Sequence, residues 1–266
     1  MGKLGQAIQT LVKMLVPGRY SWPATDISLN GSHFHLVGSI HMGTRDMQPL
    51  PPALLQKLRQ ADALIVEADI TCGISPFGHS APCDPLPRRL NAQRWQQLSK
   101  LCGELGIDTQ VIASLPAWQV ALMLQAQQAQ QLGLRAEYGI DYQLLSAAHG
   151  GGQRVIELEG PQAQLHLLEA LPENGQSLLE DTLLHWHTNA RLLQTMISWW
   201  LDVAPGRPES PLPSTFSNDL HDLLMDQRNA RWNSRLRTLP PGDYVVAVGA
   251  LHLYGQHNLV DLLRKR

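Results

Sequence analysis

The chain has 266 residues, of which 44% are hydrophobic and 17% are charged, and its formal net charge is -2. This composition is typical of a globular protein with a sizeable core, and it lacks the basic excess with which proteins bind nucleic acid or anionic lipid. The cysteines, Cys72, Cys83 and Cys102, are odd in number and lack Cys-x-x-Cys spacing, which argues against a disulfide framework or a zinc knuckle.

The first predicted element is an amphipathic helix over residues 1–19. Gln6, Gln9 and Lys13 interrupt its apolar run and no small-residue cleavage site follows, so the segment lacks the pattern of a signal peptide. No later segment approaches the roughly 20 consecutive apolar residues that a membrane-spanning helix needs. We therefore expect a cytoplasmic protein without a membrane span.

Four short apolar segments rich in β-branched residues predict strands that are covered on both faces. They are residues 34–40, 63–66, 154–158 and 244–248. Segments with helical periodicity lie between them, at residues 51–60, 90–105, 116–132, 140–148, 177–201 and 218–239. Residues 204–215 are proline-rich and predict a loop. The alternation predicts one α/β (α+β) domain over residues 1–266, with a small mixed β-sheet surrounded by many helices.

An ionisable residue stands at the end of each predicted strand. These residues are His41, Glu67, Glu159 and His252. In open α/β sheets the carboxyl ends of strands form the ligand crevice, because the loops diverge there. Two imidazoles and two carboxylates are therefore expected to converge, and this donor set suits zinc, manganese, cobalt or iron.

The two histidines occupy similar contexts. Gly38 and Gly249 each precede a histidine by three residues, and glycine permits a close approach of backbone or ligand at a strand exit. The order His, Glu, Glu, His along the chain predicts two related halves that face one another across the site. A lone histidine at a strand end is often only a hydrogen-bonding boundary residue, whereas two similar contexts favour a divalent-metal site.

The helix predicted over residues 218–239 carries an arginine on its apolar stripe. Arg228 lies four residues from Leu224 and four from Trp232, so all three share one face. A buried guanidinium requires an anionic partner, because leaving the charge unpaired is costly. Two interpretations stay open: Arg228 binds an anionic ligand, with Asn229 beside it as a neutral donor and acceptor, or Arg228 forms a structural ion pair that orients a catalytic carboxylate.

Six short motifs together resemble one known family. They are Gly38-Ser-Ile-His41, Ile65-Val-Glu67, Tyr138-Gly-Ile-Asp141, Leu158-Glu-Gly160, Gln227-Arg-Asn229 and Gly249-Ala-Leu-His252. From about Tyr20 to Leu263, the chain resembles the TraB/GumN (TraB/PrgY/GumN) family, which has bacterial members. That family is related to the TIKI metalloproteases and, more distantly, to erythromycin esterases (EreA) and haem-binding ChaN-like proteins. The resemblance implies an EreA/ChaN-like fold.

The residues and the resemblance together predict a metal-dependent hydrolase of the metallopeptidase type, acting on a peptide or small-molecule substrate. His41, His252 and Glu67 are the predicted ligands of a divalent cation, which would be manganese, cobalt or zinc. Glu67 or Glu159, whichever is not a ligand, is the predicted general base.

Four further residues complete the predicted site. Arg228 and Asn229 are predicted to stabilise the oxyanion or to bind a substrate carboxylate. The motif Tyr138-Gly-Ile-Asp141 begins a helix, and we predict that Tyr138 and Asp141 contact the substrate, although the motif also suits a helix cap.

Two alternative functions stay open at this point. The chain can be a non-catalytic binding or regulatory protein that sequesters a peptide or haem, with His41 or His252 as an axial ligand. It can also be a metal-free, esterase-like hydrolase in which His41 and Glu67 act directly as base and orienting residue.

Overall fold

The computed structural model describes residues 20–73, 83–202 and 212–265. The helix predicted over residues 1–19 lies outside these ranges, as does most of the loop predicted over residues 204–215. Residues 212–215 of that loop form neither helix nor strand. The single domain and the two related halves stay predictions.

A mixed sheet of five strands lies at the centre of the described part of the chain. The strands are β1 (Ala24–Leu29), β2 (Ser32–Ser39), β3 (Ala63–Val66), β4 (Val155–Glu157) and β5 (Asp243–Gly249). They lie in the order β1-β2-β5-β3-β4. All neighbouring strands are parallel except β1, which is antiparallel to β2. The predicted α/β class with a small mixed sheet is confirmed.

The edge strand β1 is absent from the strands that the sequence predicted. Its segment mixes polar and apolar residues, because an edge strand has one row of side chains open to water. Asn30 and Gly31 form the two-residue turn to β2, and both have positive φ, 52° and 79°. Asn-Gly between two strands is a strong hairpin signal, so this dipeptide was the feature of the sequence from which β1 could have been predicted.

Helices cover both faces of the sheet. The first six α-helices are α1 (Pro52–Gln60), α2 (Leu86–Arg89), α3 (Ala92–Leu105), α4 (Thr109–Ile112), α5 (Ala117–Gln131) and α6 (Ile140–Gly150). The others are α7 (Pro161–Glu169), α8 (Gln176–Leu184), α9 (Trp186–Leu201), α10 (Asn218–His221), α11 (Gln227–Arg237), α12 (Ala250–Tyr254) and α13 (Leu259–Arg264). Short 3-10 turns lie at Arg45–Met47, Ile70–Cys72, Ala136–Tyr138 and Pro172–Gly175.

Alternate residues of the central strands face two different cores. Leu64 and Val66 contact the core beneath α1 and α6, whereas Ala63 and Ile65 contact the core beneath α11 and α13. A third core joins α3, α5 and α8; we call it the helical core. The central strands β3 and β5 are therefore buried on both faces, as their continuous apolar pattern predicted, whereas the residues of the edge strand β4 are half-buried.

The helix predicted over residues 177–201 is two helices. α8 and α9 meet at His185, whose φ of -101° and ψ of 19° are not those of an α-helix. Periodicity alone does not reveal such a break, because both helices keep apolar residues at helical spacing.

The helix predicted over residues 218–239 contains a π-helical turn. The π-turn, Asp222–Asp226, lies between α10 and α11. The π-turn inserts one extra residue and so rotates the apolar stripe about the helix axis. Before it, Leu220 packs in the helical core; after it, Trp232 and Leu236 pack in the core beneath α11 and α13. Arg228 follows directly after this change of phase.

Candidate active site

The predicted site residues follow the carboxyl ends of four parallel strands at one edge of the sheet. Ser39 of β2 pairs with Gly249 of β5, and Val66 of β3 pairs with Ala247 of β5, so these strand ends are neighbours. The site residues are His41 after β2, Glu67 after β3, Glu159 after β4 and His252 after β5. His252 does not lie on the strand itself, because it belongs to the short helix α12 that follows β5.

Arg228 of α11 lies between the two glutamates. Its Nη2 is 2.5 Å from Oε2 of Glu67 and 3.0 Å from Oε2 of Glu159, and its Nε is 3.0 Å from Oε1 of Glu159. Its Nη1 is 3.3 Å from the carbonyl oxygen of Leu224 and 3.3 Å from Nε2 of His252. All five N–H groups of the guanidinium thus have protein acceptors. A structural ion pair of Arg228 was one of the two interpretations that the sequence left open.

The ion pairs fix the charges of this buried group. Burial opposes the charge of Arg228, but the carboxylates of Glu67 and Glu159 raise its pKa above the ordinary value. Burial likewise opposes ionisation of Glu67, but Arg228, with smaller contributions from His252 and His41, lowers the pKa of Glu67 to about 2. Glu67 is therefore a carboxylate throughout the physiological pH range.

Glu67 is also bonded by the main chain of the second glycine motif. The Gly249 N–H donates to Oε1 of Glu67 at 2.7 Å, and the Gln164 side chain donates to Oε2 at 3.2 Å. A Cβ atom on residue 249 would lie 3.3 Å from Oε1, which is tighter than most Cβ contacts. The glycine therefore permits the close approach that the sequence predicted, and the group that approaches is the carboxylate of Glu67.

His252 is buried and neutral. Its Nδ1 is 2.7 Å from Oδ1 of Asn229, and its ring packs against Trp232 with 4.4 Å between ring centroids. Burial, together with the positive charge of Arg228, lowers the pKa of His252 to about 4. Asn229 is fully buried, and its Nδ2 donates to the carbonyl oxygen of His257 at 3.2 Å.

His41 has the opposite environment. Its side chain is 65% exposed, whereas that of its partner Asp141 is 7% exposed, and Nδ1 lies 2.9 Å from the Asp141 carboxylate. The charge and hydrogen bond of Asp141, with a smaller contribution from Glu67, raise the pKa of His41 to about 9. Within the described residues, no hydrogen bond reaches Nε2 of His41, so this nitrogen can meet a ligand.

A close crossing of two main-chain segments brings Asp141 to His41. Gly43 and Arg135 exchange two hydrogen bonds, of 3.0 and 2.9 Å, and the Ile140 N–H donates to the carbonyl oxygen of Ile40 at 2.9 Å. A Cβ atom on Gly139 would collide with the carbonyl oxygen of His41. The crossing therefore needs glycine, and it sets Asp141 in the first turn of α6 directly against the imidazole.

Tyr138 contributes to the same crossing through its main chain. Its carbonyl oxygen accepts from Nε2 of Gln143 at 2.9 Å, and a Cβ atom on Gly43 would collide with this carbonyl group. Its side chain is half-buried. The predicted role of Tyr138 and Asp141 in substrate binding stays a prediction, and Asp141 has a distinct contact with His41 that the sequence did not assign.

The predicted residues thus form two connected groups. One consists of Arg228, Glu67, Glu159, Asn229 and His252, which bond to one another directly; the other is the pair of His41 and Asp141. The two groups act on one another electrostatically, because Glu67 and Arg228 both affect the pKa of His41, and the charge of His41 lowers the pKa of His252.

The predicted metal ligands are not clustered around a common point in the described part of the chain. Among the described residues, no group of three or more His, Cys, Asp or Glu side chains is placed to hold a metal ion. The positive guanidinium of Arg228 occupies the space between the glutamates, and the Nε2 nitrogen of His252 faces it. The roles of His41, His252 and Glu67 as ligands of manganese, cobalt or zinc stay a prediction, and one that requires Arg228 to move.

Sequence reasoning missed two contributors to the site. Gln164, in the first turn of α7, bonds Glu67, and no sequence signal distinguishes it from the other glutamines of the chain. His257 contributes only its main-chain carbonyl group to Asn229 and has a positive φ of 47°. Any residue type can supply a main-chain acceptor, so the contact of His257 was not predictable from the sequence, and that of Gln164 was not predictable either.

One family model and two relatives each match most of the chain. The model of the TraB/PrgY/gumN family matches residues 23–266. The protein YbaP of Escherichia coli, described as uncharacterized, is 55% identical over 258 residues, which are 97% of this chain and 98% of that protein. YbaP of Shigella flexneri is 54% identical over the same coverage. No solved structure matches the chain. Among the described residues, no helix is long and apolar enough to cross a membrane.

Proposed function

Since the chain belongs to the TraB/PrgY/gumN family, we propose that it is a hydrolase in which His41 is the general base that activates a water molecule. One observation carries the proposal. The side chain of His41 is 65% exposed and its Nε2 has no hydrogen-bond partner among the described residues, while Nδ1 bonds the buried carboxylate of Asp141. A buried carboxylate that orients a solvent-facing imidazole is the arrangement by which enzymes hold a histidine ready for proton transfer.

The proposed reaction is hydrolysis of an ester or amide bond in a peptide or small molecule. Neutral His41 takes a proton from water at Nε2, and the water oxygen forms a bond to the carbonyl carbon. Asp141 holds Nδ1–H and stabilises the imidazolium that results. The imidazolium then gives its proton to the leaving oxygen or nitrogen as the bond to the carbonyl carbon breaks, so protons and electron pairs balance.

The buried ion-pair network has a positioning role in this proposal. Every N–H group of Arg228 is bonded within the protein, and Asn229 is fully buried. We therefore assign Arg228 to the orientation of Glu67 and Glu159, in place of the oxyanion role that the sequence predicted. Glu67, held ionised, raises the pKa of His41 and thereby stabilises its protonated form during proton transfer.

The metal-dependent hydrolase predicted from the sequence is the second candidate. It is favoured by the mutual electrostatic effect of His41 and Glu67, an imidazole and a carboxylate that stand near one another. In this alternative, His41, Glu67 and His252 would hold manganese, cobalt or zinc, which would supply an activated water. Arg228 would first have to release Glu67.

The decisive experiment compares hydrolysis with and without metal. The purified full chain is incubated with a peptide library and a panel of aryl esters, in the presence of EDTA or of added manganese. We expect cleavage that survives EDTA and falls about 100- to 10,000-fold in His41→Gln, the usual contribution of a general base. His166→Gln is the matched control, because His166 is also an exposed histidine paired with a carboxylate, Glu169, and it should retain activity.

Each other outcome selects an alternative. Cleavage that requires added manganese and disappears in EDTA would support the metal-dependent hydrolase. No cleavage with any cation, together with a Soret band on haem addition that His41→Gln abolishes, would support the binding protein and contradict both hydrolases.

The pH dependence of the rate tests the same assignment. Only neutral imidazole accepts a proton, and Asp141 raises the pKa of His41 to about 9. We expect kcat/KM to rise with pH on the alkaline side of neutrality and to level off near the pKa of His41. A rate that falls over this range would contradict a general-base role.

A further inference from the structure

We propose that His252 is a positioning residue, fixed as the neutral tautomer with its proton on Nδ1, and that it orients the Arg228 guanidinium between the two glutamates. The consequence for catalysis rests on the proposed function, whereas the tautomer itself does not. Four consecutive groups carry the proposal: the main-chain carbonyl of His257, the amide of Asn229, the imidazole of His252 and the guanidinium of Arg228.

The carbonyl group of His257 determines how the Asn229 amide is turned. A carbonyl oxygen only accepts hydrogen bonds, so the atom 3.2 Å from it must be the NH2 nitrogen of Asn229. Asn229 is fully buried, so no water competes for either end of the amide. Oδ1 of Asn229 therefore faces His252.

Both neighbours of His252 then require the same tautomer. Oδ1 of Asn229 is an acceptor 2.7 Å from Nδ1, so Nδ1 carries the proton. Nη1 of Arg228 is a donor 3.3 Å from Nε2, so Nε2 carries the lone pair. A proton on Nε2 would point at an N–H group of a guanidinium, so this tautomer alone satisfies both neighbours.

The tautomer matters because of what Arg228 does with its other nitrogens. Nη1 is bonded by His252 and by the carbonyl oxygen of Leu224, which together fix the plane of the guanidinium. In that plane Nη2 meets Glu67 and Nε meets Glu159. His252 therefore acts on the glutamates through Arg228.

This assignment separates the two motif histidines by role. The lone pair of His252 that a metal ion or a substrate proton would need is the one that accepts from Arg228. Nε2 of His41 has no such partner among the described residues. Proton transfer is therefore confined to His41, and His252 keeps its proton on Nδ1 through the reaction.

Nitrogen-15 NMR of the imidazole rings tests the tautomer without any substrate. The full chain is labelled with 15N-histidine, and the His252 signals are identified by their absence in His252→Gln. We expect a protonated Nδ1 and an unprotonated Nε2 near neutral pH. A His252 ring protonated on Nε2, or on both nitrogens, would overturn the proposal.

Asn229→Leu removes the acceptor while keeping a side chain of similar size. We expect His252 to lose its fixed tautomer and, if the chain is the proposed hydrolase, kcat to fall about 10- to 100-fold with a smaller change in KM, as is usual for residues that orient a catalytic group. Wild-type ring signals in Asn229→Leu would also overturn the proposal.

Two control variants separate this effect from general damage to the fold. His257→Gly keeps the carbonyl group and removes the side chain, so the tautomer should remain. Leu236→Ala opens a cavity on the same helix, so it should lower thermal stability and leave the His252 signals unchanged. A changed tautomer in either control would contradict the proposal that the main-chain carbonyl group of His257, acting through Asn229, fixes the tautomer of His252. The predicted tautomer in a chain that hydrolyses nothing would support this proposal and contradict the proposed function.

Discussion

The two Gly-x-x-His motifs end neighbouring parallel strands, yet their histidines differ in almost every physical property. His41 is exposed and paired with a carboxylate, and its pKa is raised to about 9. His252 is buried and paired with an amide, and its pKa is lowered to about 4. One is therefore suited to exchange protons with a ligand, and the other is suited to hold a fixed hydrogen-bonding pattern.

The difference comes from the partners and not from the motif. Asp141 reaches His41 because Gly139 permits a close crossing of the main chain, whereas Asn229 reaches His252 from a helix that also carries Arg228. A negative partner favours the imidazolium, while burial beside a guanidinium opposes it. Similar local sequence thus gives opposite protonation when different elements pack against it.

The largest effect is expected when the guanidinium of Arg228, which His252 faces, is removed. Arg228→Met leaves Glu67 and Glu159 buried without their partner, and we expect a loss of about 3–5 kcal/mol in the free energy of unfolding. Urea unfolding measures it. Arg231→Met is the matched control: this guanidinium is 55% exposed and 3.6 Å from Glu159, so its loss should cost about 1 kcal/mol or less. Equal costs would contradict the central role of Arg228.

Giving His252 the kind of partner that His41 has reverses part of the contrast. Asn229→Asp replaces the amide by a carboxylate that still accepts from Nδ1 but no longer donates to His257. We expect the pKa of His252 to rise above its value of about 4, and stability to fall by about 1–3 kcal/mol because a buried carbonyl oxygen loses its donor. NMR titration of the ring measures the pKa, and an unchanged value would show that burial alone sets it.

The reciprocal exchange at His41 should have the smallest effect. Because the folded-state pKa of His41 is raised, its pair with Asp141 adds stability that is fully present below the ordinary pKa of about 6.5 and is lost as pH rises through about 9. Asp141→Asn removes this contribution.

We expect Asp141→Asn to lower the melting temperature at about pH 6 and to have little effect at about pH 10. Solvent screening of the exposed ring limits the difference to about 1 kcal/mol or less. Melting curves of both proteins across this range provide the measurement. A destabilisation that grows with pH would contradict the assigned pair.

The fold was largely predictable because its parallel strands are continuous apolar runs. Residues 63–66 form β3 with the predicted bounds, and the polar edge strand β1 was missed because its pattern is weaker than that of the buried strands. The site was predictable in composition for a related reason: ionisable residues directly after buried strands converge wherever those strands are neighbours. Sequence supplied His41, Glu67, Glu159, Arg228 and His252 as one group.

The sequence did not predict which of these side chains bond to one another. Two histidines and two glutamates suit a cation by donor type, but donor types leave open which partner each carboxylate binds. In the structure the guanidinium takes the space between the carboxylates. Distances between residues far apart in the chain decide this, and residue types leave it open.

The π-turn at Asp222–Asp226 makes the length of that segment as important as its residues. Each residue of an α-helix turns the chain by about 100°, so deletion of one residue from the π-turn would rotate Arg228 and Asn229 away from their partners if Leu220 stayed in the helical core. Every motif would still be present in such a chain. Two relatives with identical motifs can therefore differ in whether the site is assembled, and a count of residues between Leu220 and Arg228 is the simplest way to tell them apart.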